Sequence, residues 1–264
     1  MQAAICYYSG SGNTELACEY LAQRIEAVPF DLVDITESDQ PDLEPYDVVG
    51  FATFTDFFAP PQRFQTFLTS LSPQKGDYAF VFNTYGSFSG KTLKVLADLA
   101  AARGYRIMLG HSLHTPESYP PLNALGITSE TAPKPRELDA FEEFVERLTT
   151  KIETLQAGGE PEIEGVKLKL FQRLMPALPR TTSQTLMGDK RVDAQRCTEC
   201  GTCVAVCPYG AIHLNPKPVF DEARCYGCWA CYNHCPEQAI HTTRYRDVGH
   251  YATPNAELQE KLAG

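Results

Sequence analysis

The chain has 264 residues, of which 43% are apolar and 21% charged, and a formal net charge of −10 at pH 7. This composition is ordinary for a globular protein, and the length predicts two domains. The negative charge argues against nucleic acid as a partner, and no apolar run approaches the roughly 20 residues of a membrane span. Because Met1 leads directly into a strand-like segment without a charged leader, we expect a cytoplasmic protein without a transmembrane segment.

The first predicted elements are a short apolar strand at residues 2–8, a small polar loop and an amphipathic helix. In the loop, glycines let backbone N–H groups approach an anion, serine and threonine hydroxyls can donate to it, and the helix N-terminus adds its positive end. The loop residues are Ser9, Gly10, Ser11, Gly12, Asn13 and Thr14. We therefore predict a phosphate site here.

Two common phosphate loops do not fit this pattern. A dinucleotide fingerprint would have a third glycine where the chain has Glu15, and the ATP-type loop would have a lysine that is missing. The Ser-x-Ser-Gly-x-Thr pattern instead resembles the phosphate loop of flavodoxins, which hold the phosphate of FMN with neutral donors. A serine- and glycine-rich turn that binds nothing is the alternative.

Strands and helices then alternate along the chain. Strands are predicted near residues 30–35, 47–52, 78–83 and 105–109, and helices at 62–71, 91–103 and 138–155. This alternation predicts an α/β fold with a doubly wound, five-stranded parallel sheet in the order 2-1-3-4-5. Ligands of such sheets bind at the carboxyl ends of the strands, here in the crevice between the first and third strands.

Two loops that leave those carboxyl ends are aromatic and contain glycine or proline. They span residues 53–60 and 84–90. The flavodoxin resemblance covers roughly residues 1–155, and it implies that these loops hold the FMN ring between aromatic side chains. The ring-binding residues that we predict are Thr53, Phe54, Phe57, Asn83, Thr84, Tyr85, Gly86, Phe88 and Gly90.

Several of these residues have ordinary alternatives. At least one of Phe54, Phe57 and Phe58 is expected to pack beneath its loop, and Gly86 could be a simple turn glycine. A long irregular loop at residues 111–135 carries Tyr119, which could cap the flavin, face the second domain or only pack on the surface.

The connecting segment, residues 158–190, begins with two glycines and continues as a basic, apolar stretch. Its basic residues are Lys167, Lys169, Arg173 and Arg180, and its apolar ones are Val166, Leu168, Leu170, Phe171, Leu174 and Met175. We interpret it as an arm that packs across both domains, the alternative being a segment that docks on a membrane surface or a partner.

Eight of the 10 cysteines form two matching runs that each end in Cys-Pro. The runs are Cys197, Cys200, Cys203 and Cys207, and Cys225, Cys228, Cys231 and Cys235. A shift of 28 residues superposes them, and each half reads as a strand, a ligand loop, a short helix that begins near the Cys-Pro, and a second strand. Four cysteines per run argue against a zinc ribbon, and the expected reducing compartment argues against disulfides. Cys6 and Cys18 are expected to be inert buried thiols.

Residues 191–247 resemble a bacterial-type two-cluster ferredoxin, a small α+β domain with two 4Fe-4S clusters. The resemblance implies that the fourth cysteine of each run reaches across to the other cluster. One cluster would take Cys197, Cys200, Cys203 and Cys235, and the other Cys225, Cys228, Cys231 and Cys207. Trp229 and Tyr226 would shield the second cluster, or simply pack.

The whole chain resembles fused flavodoxin-ferredoxin electron-transfer proteins. We predict an FMN domain at residues 1–157, the arm at 158–190, the ferredoxin domain at 191–247 and a tail with a short helix at 248–264. The expected function is to relay electrons between FMN and the clusters, with redox proteins that carry basic docking surfaces as partners. An FMN-dependent reductase of a small substrate fed by the clusters, and a redox-sensing or binding module, are the alternatives.

Overall fold

The computed structural model describes residues 1–38, 40–74, 76–168, 172 and 180–263. Its main feature is a five-stranded parallel sheet in the order β2-β1-β3-β4-β5, as predicted from the sequence. The strands are β1 (Ala3–Tyr7), β2 (Phe30–Asp34), β3 (Val48–Phe54), β4 (Tyr78–Tyr85) and β5 (Arg106–His114). The helices of this unit are α1 (Asn13–Arg24), α2 (Gln62–Ser70), α3 (Thr92–Ala102), α4 (Pro120–Asn123) and α5 (Pro135–Gln156).

Helices cover both faces of this sheet. On one face α1 and α5 bury Leu21 and Phe141 against it, and on the other α2 and α3 bury Phe64 and Leu96. A sheet covered on both faces needs strands that are apolar throughout, and all five residues of β1 are buried. None of the helices in the described ranges is long and apolar enough to cross a membrane.

Strands β4 and β5 run further toward their carboxyl ends than the sequence indicated. The parallel register continues through Asn83 beside Ser112 and Tyr85 beside His114. The Ser112 hydroxyl donates to Asn83 Oδ1 at 2.6 Å, so polar side chains pair across the sheet where an apolar pattern was expected to stop. These longer strands bring their last residues to the ligand-binding edge.

The C-terminal unit is built from two similar halves. It contains β6 (Lys190–Val192), α7 (Thr202–Ala205), β7 (Ile212–Asn215), β8 (Lys217–Phe220), α8 (Ala230–Asn233) and β9 (Ile240–Thr242). Strand β6 pairs antiparallel with β9, and β7 pairs antiparallel with β8. Each ladder therefore joins one strand of the first half to one strand of the second.

The predicted start of the short helices near the Cys-Pro pairs is wrong. Helix α7 ends at Ala205 and α8 at Asn233, so both precede Pro208 and Pro236. The residue before a proline disfavours helical dihedral angles, and proline cannot donate to a preceding turn. The helices instead start inside the ligand loops.

The connecting segment contacts both units where it is described. The Glu164 N–H donates to the carbonyl oxygen of Met108 on β5 at 2.9 Å, and a helix α6 (Arg180–Met187) places the Gln184 amide 2.7 Å from the carbonyl oxygen of Cys225. The predicted arm residues Lys169, Leu170, Phe171, Arg173, Leu174 and Met175 lie outside the described residues.

The tail returns to the first unit. Its helix α9 (Ala256–Lys261) agrees with the helix expected there, and Leu258 and Leu262 are buried in the core beneath α1 and α5. The Asn255 side chain caps α9 by accepting the Leu258 N–H at 2.9 Å. The chain therefore passes from the first unit to the second and back.

His111 on β5 generates a prediction about acid stability. Its ring lies among Phe82, Phe141 and Phe144, and burial lowers its pKa from 6.5 to about 4. The unfolded chain therefore binds a proton that the folded chain does not bind between about pH 6.5 and pH 4, so stability falls as the pH falls through that window. Because His111 keeps some contact with solvent, we expect a loss of about 2 kcal/mol.

The measurement is urea unfolding followed by circular dichroism at pH 7 and pH 4.5, in the wild type and in His111→Phe. The variant should lose about 2 kcal/mol less than the wild type between the two pH values. His213→Gln, at an exposed position of β7, is the control and should behave as the wild type. Equal pH dependence in all three proteins would contradict the assignment.

Candidate functional site

A cavity of about 290 Å3 lies at the carboxyl edge of the main sheet. The loops that follow β1, β3, β4 and β5 form most of its wall, and residues 226–230 and 233 of the C-terminal unit complete it. We call it the edge cavity. Its volume is near the lower end of that typical of small-molecule sites, and it lies where doubly wound sheets bind ligands.

The loop after β1 lies at one end of the edge cavity. Ser11, Asn13 and Thr14 are buried and line it, and helix α1 begins at Asn13 with Gly12 in a left-handed conformation at φ 82°. The Thr14 and Thr84 hydroxyl oxygens lie 2.8 Å apart. Neutral donors and a helix N-terminus therefore converge there, which suits a phosphate group.

One unpaired group supports this fit. The Ser9 hydroxyl oxygen is buried, and no hydrogen-bond partner is found for it within the described ranges. An unpaired buried hydroxyl costs roughly 1–3 kcal/mol. A ligand acceptor beside the loop would remove that cost, so the residues present fit a phosphate.

Ten of the fifteen cofactor residues predicted from the sequence line the edge cavity. They are Gly10, Ser11, Asn13, Thr14, Phe54, Phe57, Thr84, Tyr85, Gly86 and Phe88. The other five, Ser9, Gly12, Thr53, Asn83 and Gly90, are not among the residues that line it. Thr53 donates to the carbonyl oxygen of Tyr8 at 3.3 Å and the Asn83 amide to the Thr55 hydroxyl at 3.0 Å, so both support the loops.

The loop after β3 ends in a strained two-residue turn. Asp56 and Ala59 exchange backbone hydrogen bonds of 2.8 and 3.2 Å, and between them Phe57 and Phe58 have φ angles of 49° and 71°. Such a turn ordinarily takes Asn or Gly. Strained backbone of this kind concentrates at functional sites, and both rings line the edge cavity.

Tyr85, at the end of β4, and Phe88, in the loop after it, have different surroundings. Tyr85 lines the edge cavity and stacks on His114, with ring centroids 5.1 Å apart. Phe88 is 60% exposed and contacts Phe58 at a centroid distance of 6.2 Å. Tyr85 is therefore fixed in place, whereas Phe88 lies at the mouth.

Sequence reasoning missed Glu117, a buried carboxylate in the wall. It accepts the Ser87 N–H at 3.0 Å, the Ser87 hydroxyl at 2.9 Å, and the Ser118 and Tyr119 N–H groups at 3.0 Å each. A side chain at Gly86 would collide with this carboxylate and would have to displace it from these hydrogen bonds. An acidic residue in a proline-rich loop is usually solvated, so the sequence around Glu117 did not indicate a buried carboxylate.

Tyr226 joins the C-terminal unit to the edge cavity. Its hydroxyl donates to Asp56 Oδ2 at 2.8 Å and accepts the Gln62 N–H at 3.1 Å, and its ring stacks on Tyr209 at 4.6 Å. Further contacts across the same interface join the His234 Nε2 to the Gly10 carbonyl oxygen at 3.1 Å and the Asn233 amide to that of Ser118 at 3.0 Å. The second repeat is therefore held against the loop after β1.

The eight cysteines of the two runs line two small cavities, grouped as the ferredoxin resemblance implies. Cys197, Cys200, Cys203 and Cys235 line one. Cys207, Cys225, Cys228 and Cys231 line the other. We call them the outer and inner cysteine cavities. All 10 cysteines are free of disulfides.

The described residues contain no group of three or more His, Cys, Asp or Glu side chains arranged around one metal ion. A 4Fe-4S cluster does not require that geometry, because each thiolate binds a different iron. Cys6 and Cys18 lie elsewhere, fully buried in the sheet and in α1. Burial raises the pKa of the Cys6 thiol to about 12 and also raises that of Cys18, so both remain unreactive thiols.

The loop after β1 gives a first test at this site. If it holds the phosphate of FMN, Thr14→Ala removes one donor to a charged group and should weaken FMN binding by roughly 1.5–3 kcal/mol. Thr14→Ser keeps the hydroxyl and serves as the control. Affinity is measured by quenching of flavin fluorescence, and iron content should not change. Unaltered affinity in both Thr14→Ala and Ser11→Ala would contradict the phosphate site.

The crossed grouping of the cysteines gives a second test. Cys207→Ala should damage the cluster of the inner cavity, and Cys235→Ala that of the outer cavity. Electron paramagnetic resonance of the reduced protein distinguishes them, because a change at Trp229, which lines only the inner of the two, should alter the signal that Cys207→Ala removes. Loss of the other signal in Cys207→Ala would mean that each run closes on itself.

Comparison with known families supports the iron-sulfur assignment. Residues 196–239 match the family model of a 4Fe-4S dicluster domain, and the match contains all eight cysteines of the two runs. No curated protein matches the chain.

Solved structures with a similar fold include several flavodoxins. One from the domain Archaea is 16% identical with a TM-score of 0.40, over 58% of this chain and 99% of that chain. Two-electron reduced Megasphaera elsdenii flavodoxin is 22% identical with a TM-score of 0.38, over 42% and 85%. Oxidised flavodoxin 2 from Bacillus cereus is 16% identical with a TM-score of 0.42, over 55% and 95%. At these scores the similarities do not bear on ligands.

The strand order and the family match together describe the two parts of this chain. The parallel sheet of residues 3–114 has the flavodoxin-like order from its own pairing, and the paired cysteine runs follow it in the same chain. The chain thus joins a flavodoxin-like α/β unit to a segment that matches the 4Fe-4S dicluster family.

Proposed function

We propose that this protein is an electron carrier that holds FMN in the edge cavity and one 4Fe-4S cluster in each cysteine cavity. FMN exchanges one or two electrons and each cluster exchanges one, so such a carrier connects two-electron with one-electron partners. The phosphate of FMN would lie on the loop of residues 9–14, and the ring between the loops after β3 and β4.

The main support for this proposal is a wall that the edge cavity shares with the inner cysteine cavity. Tyr226, Cys228, Trp229 and Ala230 line both the edge cavity and the inner cysteine cavity. Electron transfer falls steeply with distance, so two redox groups on opposite sides of one ligand loop are favourably arranged. A chain with two unrelated binding sites would not need such a wall.

Contacts around this wall fix the position of the edge cavity relative to the inner cysteine cavity. Tyr226 is anchored on Asp56 and Gln62, and the Arg63 guanidinium donates to the carbonyl oxygen of Pro208 at 2.7 Å. The rings of Tyr119 and Trp229, whose centroids are 6.0 Å apart, add an aromatic contact between the units. We therefore assign the interface a role in electron transfer as well as in stability.

The outer cysteine cavity offers the contact with other proteins. Thr198, Glu199 and Cys200 are exposed, whereas the equivalent residues 226–228 of the second repeat are covered by the first unit. Glu199 lies 2.9 Å from Lys217, and Glu237 is a further exposed acid beside this cavity. We propose that a redox protein with a basic docking surface exchanges single electrons here.

We also propose that the chain is divided into an FMN domain at 1–157, an arm at 158–190, a ferredoxin domain at 191–247 and a tail at 248–264. The arm and tail are assigned to the interface. Tyr251 of the tail donates to the Asn13 side chain at 2.9 Å, which links the tail to the loop after β1.

A reductase of a small substrate is the second candidate. A second cavity of about 510 Å3 shares Tyr85, Ser87 and Phe88 with the edge cavity, so a small molecule could reach the same aromatic loop. Turnover of a small acceptor that persists in Cys200→Ala at the wild-type rate would favour this candidate over the relay.

Cofactor content and electron count test the relay. Protein purified without oxygen should contain one FMN and about eight iron atoms. Reductive titration should consume about four electrons per chain, two at the flavin absorbance and one at each cluster. Iron without flavin, or a flavin with only four irons, would contradict the proposal.

A further inference from the structure

Trp229 occupies a position where the repeat uses glycine. A shift of 28 residues superposes Trp229 on Gly201, and both precede the short helix of their half with left-handed φ angles of 67° and 80°. Glycine adopts this conformation without strain, whereas a bulky side chain does not. Gly201 indicates that the ligand loop itself needs no side chain here, so the tryptophan has another cause.

The surroundings of the indole point to the edge cavity. Trp229 is 3% exposed and lines that cavity beside Tyr119, which in turn contacts Phe57 at a centroid distance of 5.6 Å. Its Nε1–H is buried, and no acceptor for it is found within the described part of the chain. A buried donor without an acceptor is costly unless a ligand supplies one.

A sulfur of the inner cysteine cavity is a less suitable acceptor for the Trp229 Nε1–H. Two of its sulfurs already receive backbone donors, because the Gly227 N–H lies 3.3 Å from Cys225 Sγ and the Ala211 N–H 3.3 Å from Cys207 Sγ. In the outer cavity the equivalent of Trp229 is Gly201, so four such thiolates are arranged there without a side-chain donor at this position.

We propose that Trp229 is a flavin ligand contributed by the iron-sulfur segment: its ring contacts the bound FMN and its Nε1–H donates to an acceptor on the isoalloxazine. This inference rests on the proposed function, since it takes the edge cavity to be the FMN site. The first unit alone would then lack one wall of its own cofactor site. Trp229 is also the only tryptophan of the chain, which makes it a specific probe.

The first experiment labels the full-length protein with 5-fluorotryptophan, which introduces fluorine at position 229 alone. Protein with both clusters and without flavin is titrated with FMN, and binding is followed in parallel by flavin fluorescence. The single 19F resonance should shift in proportion to the FMN bound. Binding without a shift would overturn the role of Trp229 and leave the proposed function intact, whereas absence of binding would reject the proposed function itself.

The second experiment separates the ring from the donor. Trp229→Phe keeps a ring and removes the N–H, and we expect about tenfold weaker FMN binding and an altered flavin midpoint potential at constant iron content. Trp229→Gly restores the residue of the first repeat, suits the backbone and should bind FMN more weakly still.

Tyr245→Leu is the matched control, because Tyr245 contacts Trp229 at a centroid distance of 5.6 Å but lines neither cavity. It should leave FMN affinity and the flavin potential unchanged. A cluster potential that moves in Trp229→Phe while FMN affinity and the flavin potential stay constant would overturn the inference and assign the N–H to the cluster. Equal weakening in Trp229→Phe and Tyr245→Leu would also overturn it.

Discussion

The arrangement of the two units depends on one contact. The ligand loop of residues 225–231 packs against the carboxyl edge of the main sheet. Six residues of the ligand loop 225–231 line the inner cysteine cavity, and four of these six also line the edge cavity. Their position depends on the hydrogen bonds of Tyr226 to Asp56 and Gln62, which bring a loop of the second unit onto the first. If this contact opened, the two cavities would lose their common wall. The tail reinforces it by burying Leu258 and Leu262 in the core of the first unit.

Local conflicts with backbone preference occur at this contact. Phe57 and Phe58 take a turn that favours Asn or Gly, and Trp229 takes a conformation that the other repeat gives to Gly201. A sequence that violates its local preferences at a few places usually does so for function. These three residues lie on two different units and line the same cavity, whereas the other non-glycine residues with positive φ in the described part of the chain do not line it. This coincidence is the physical basis for treating the edge cavity as a shared site.

The sequence predicted the strand order of the main sheet because apolar strands and amphipathic helices alternate clearly. The crossed ligand sets of the two clusters stay a prediction from the family resemblance; in the structure the cysteines line two cavities in the same two groups. The sequence did not reveal Glu117, because only the folded loops bring Ser87, Ser118 and Tyr119 around that carboxylate. Nor did it place Trp229 in the edge cavity. Contacts between units depend on surface shape, and no periodicity in the chain encodes them.

Intramolecular electron exchange is the central claim, and its rate law tests it most directly. The protein with all cofactors is photoreduced rapidly without oxygen, and absorbance is followed at flavin and cluster wavelengths at several protein concentrations. If the shared wall of Tyr226, Cys228, Trp229 and Ala230 separates FMN from the inner cluster, the two signals should equilibrate with a rate that does not depend on protein concentration. A rate that rises in proportion to concentration would contradict the account and indicate two independent carriers on one chain.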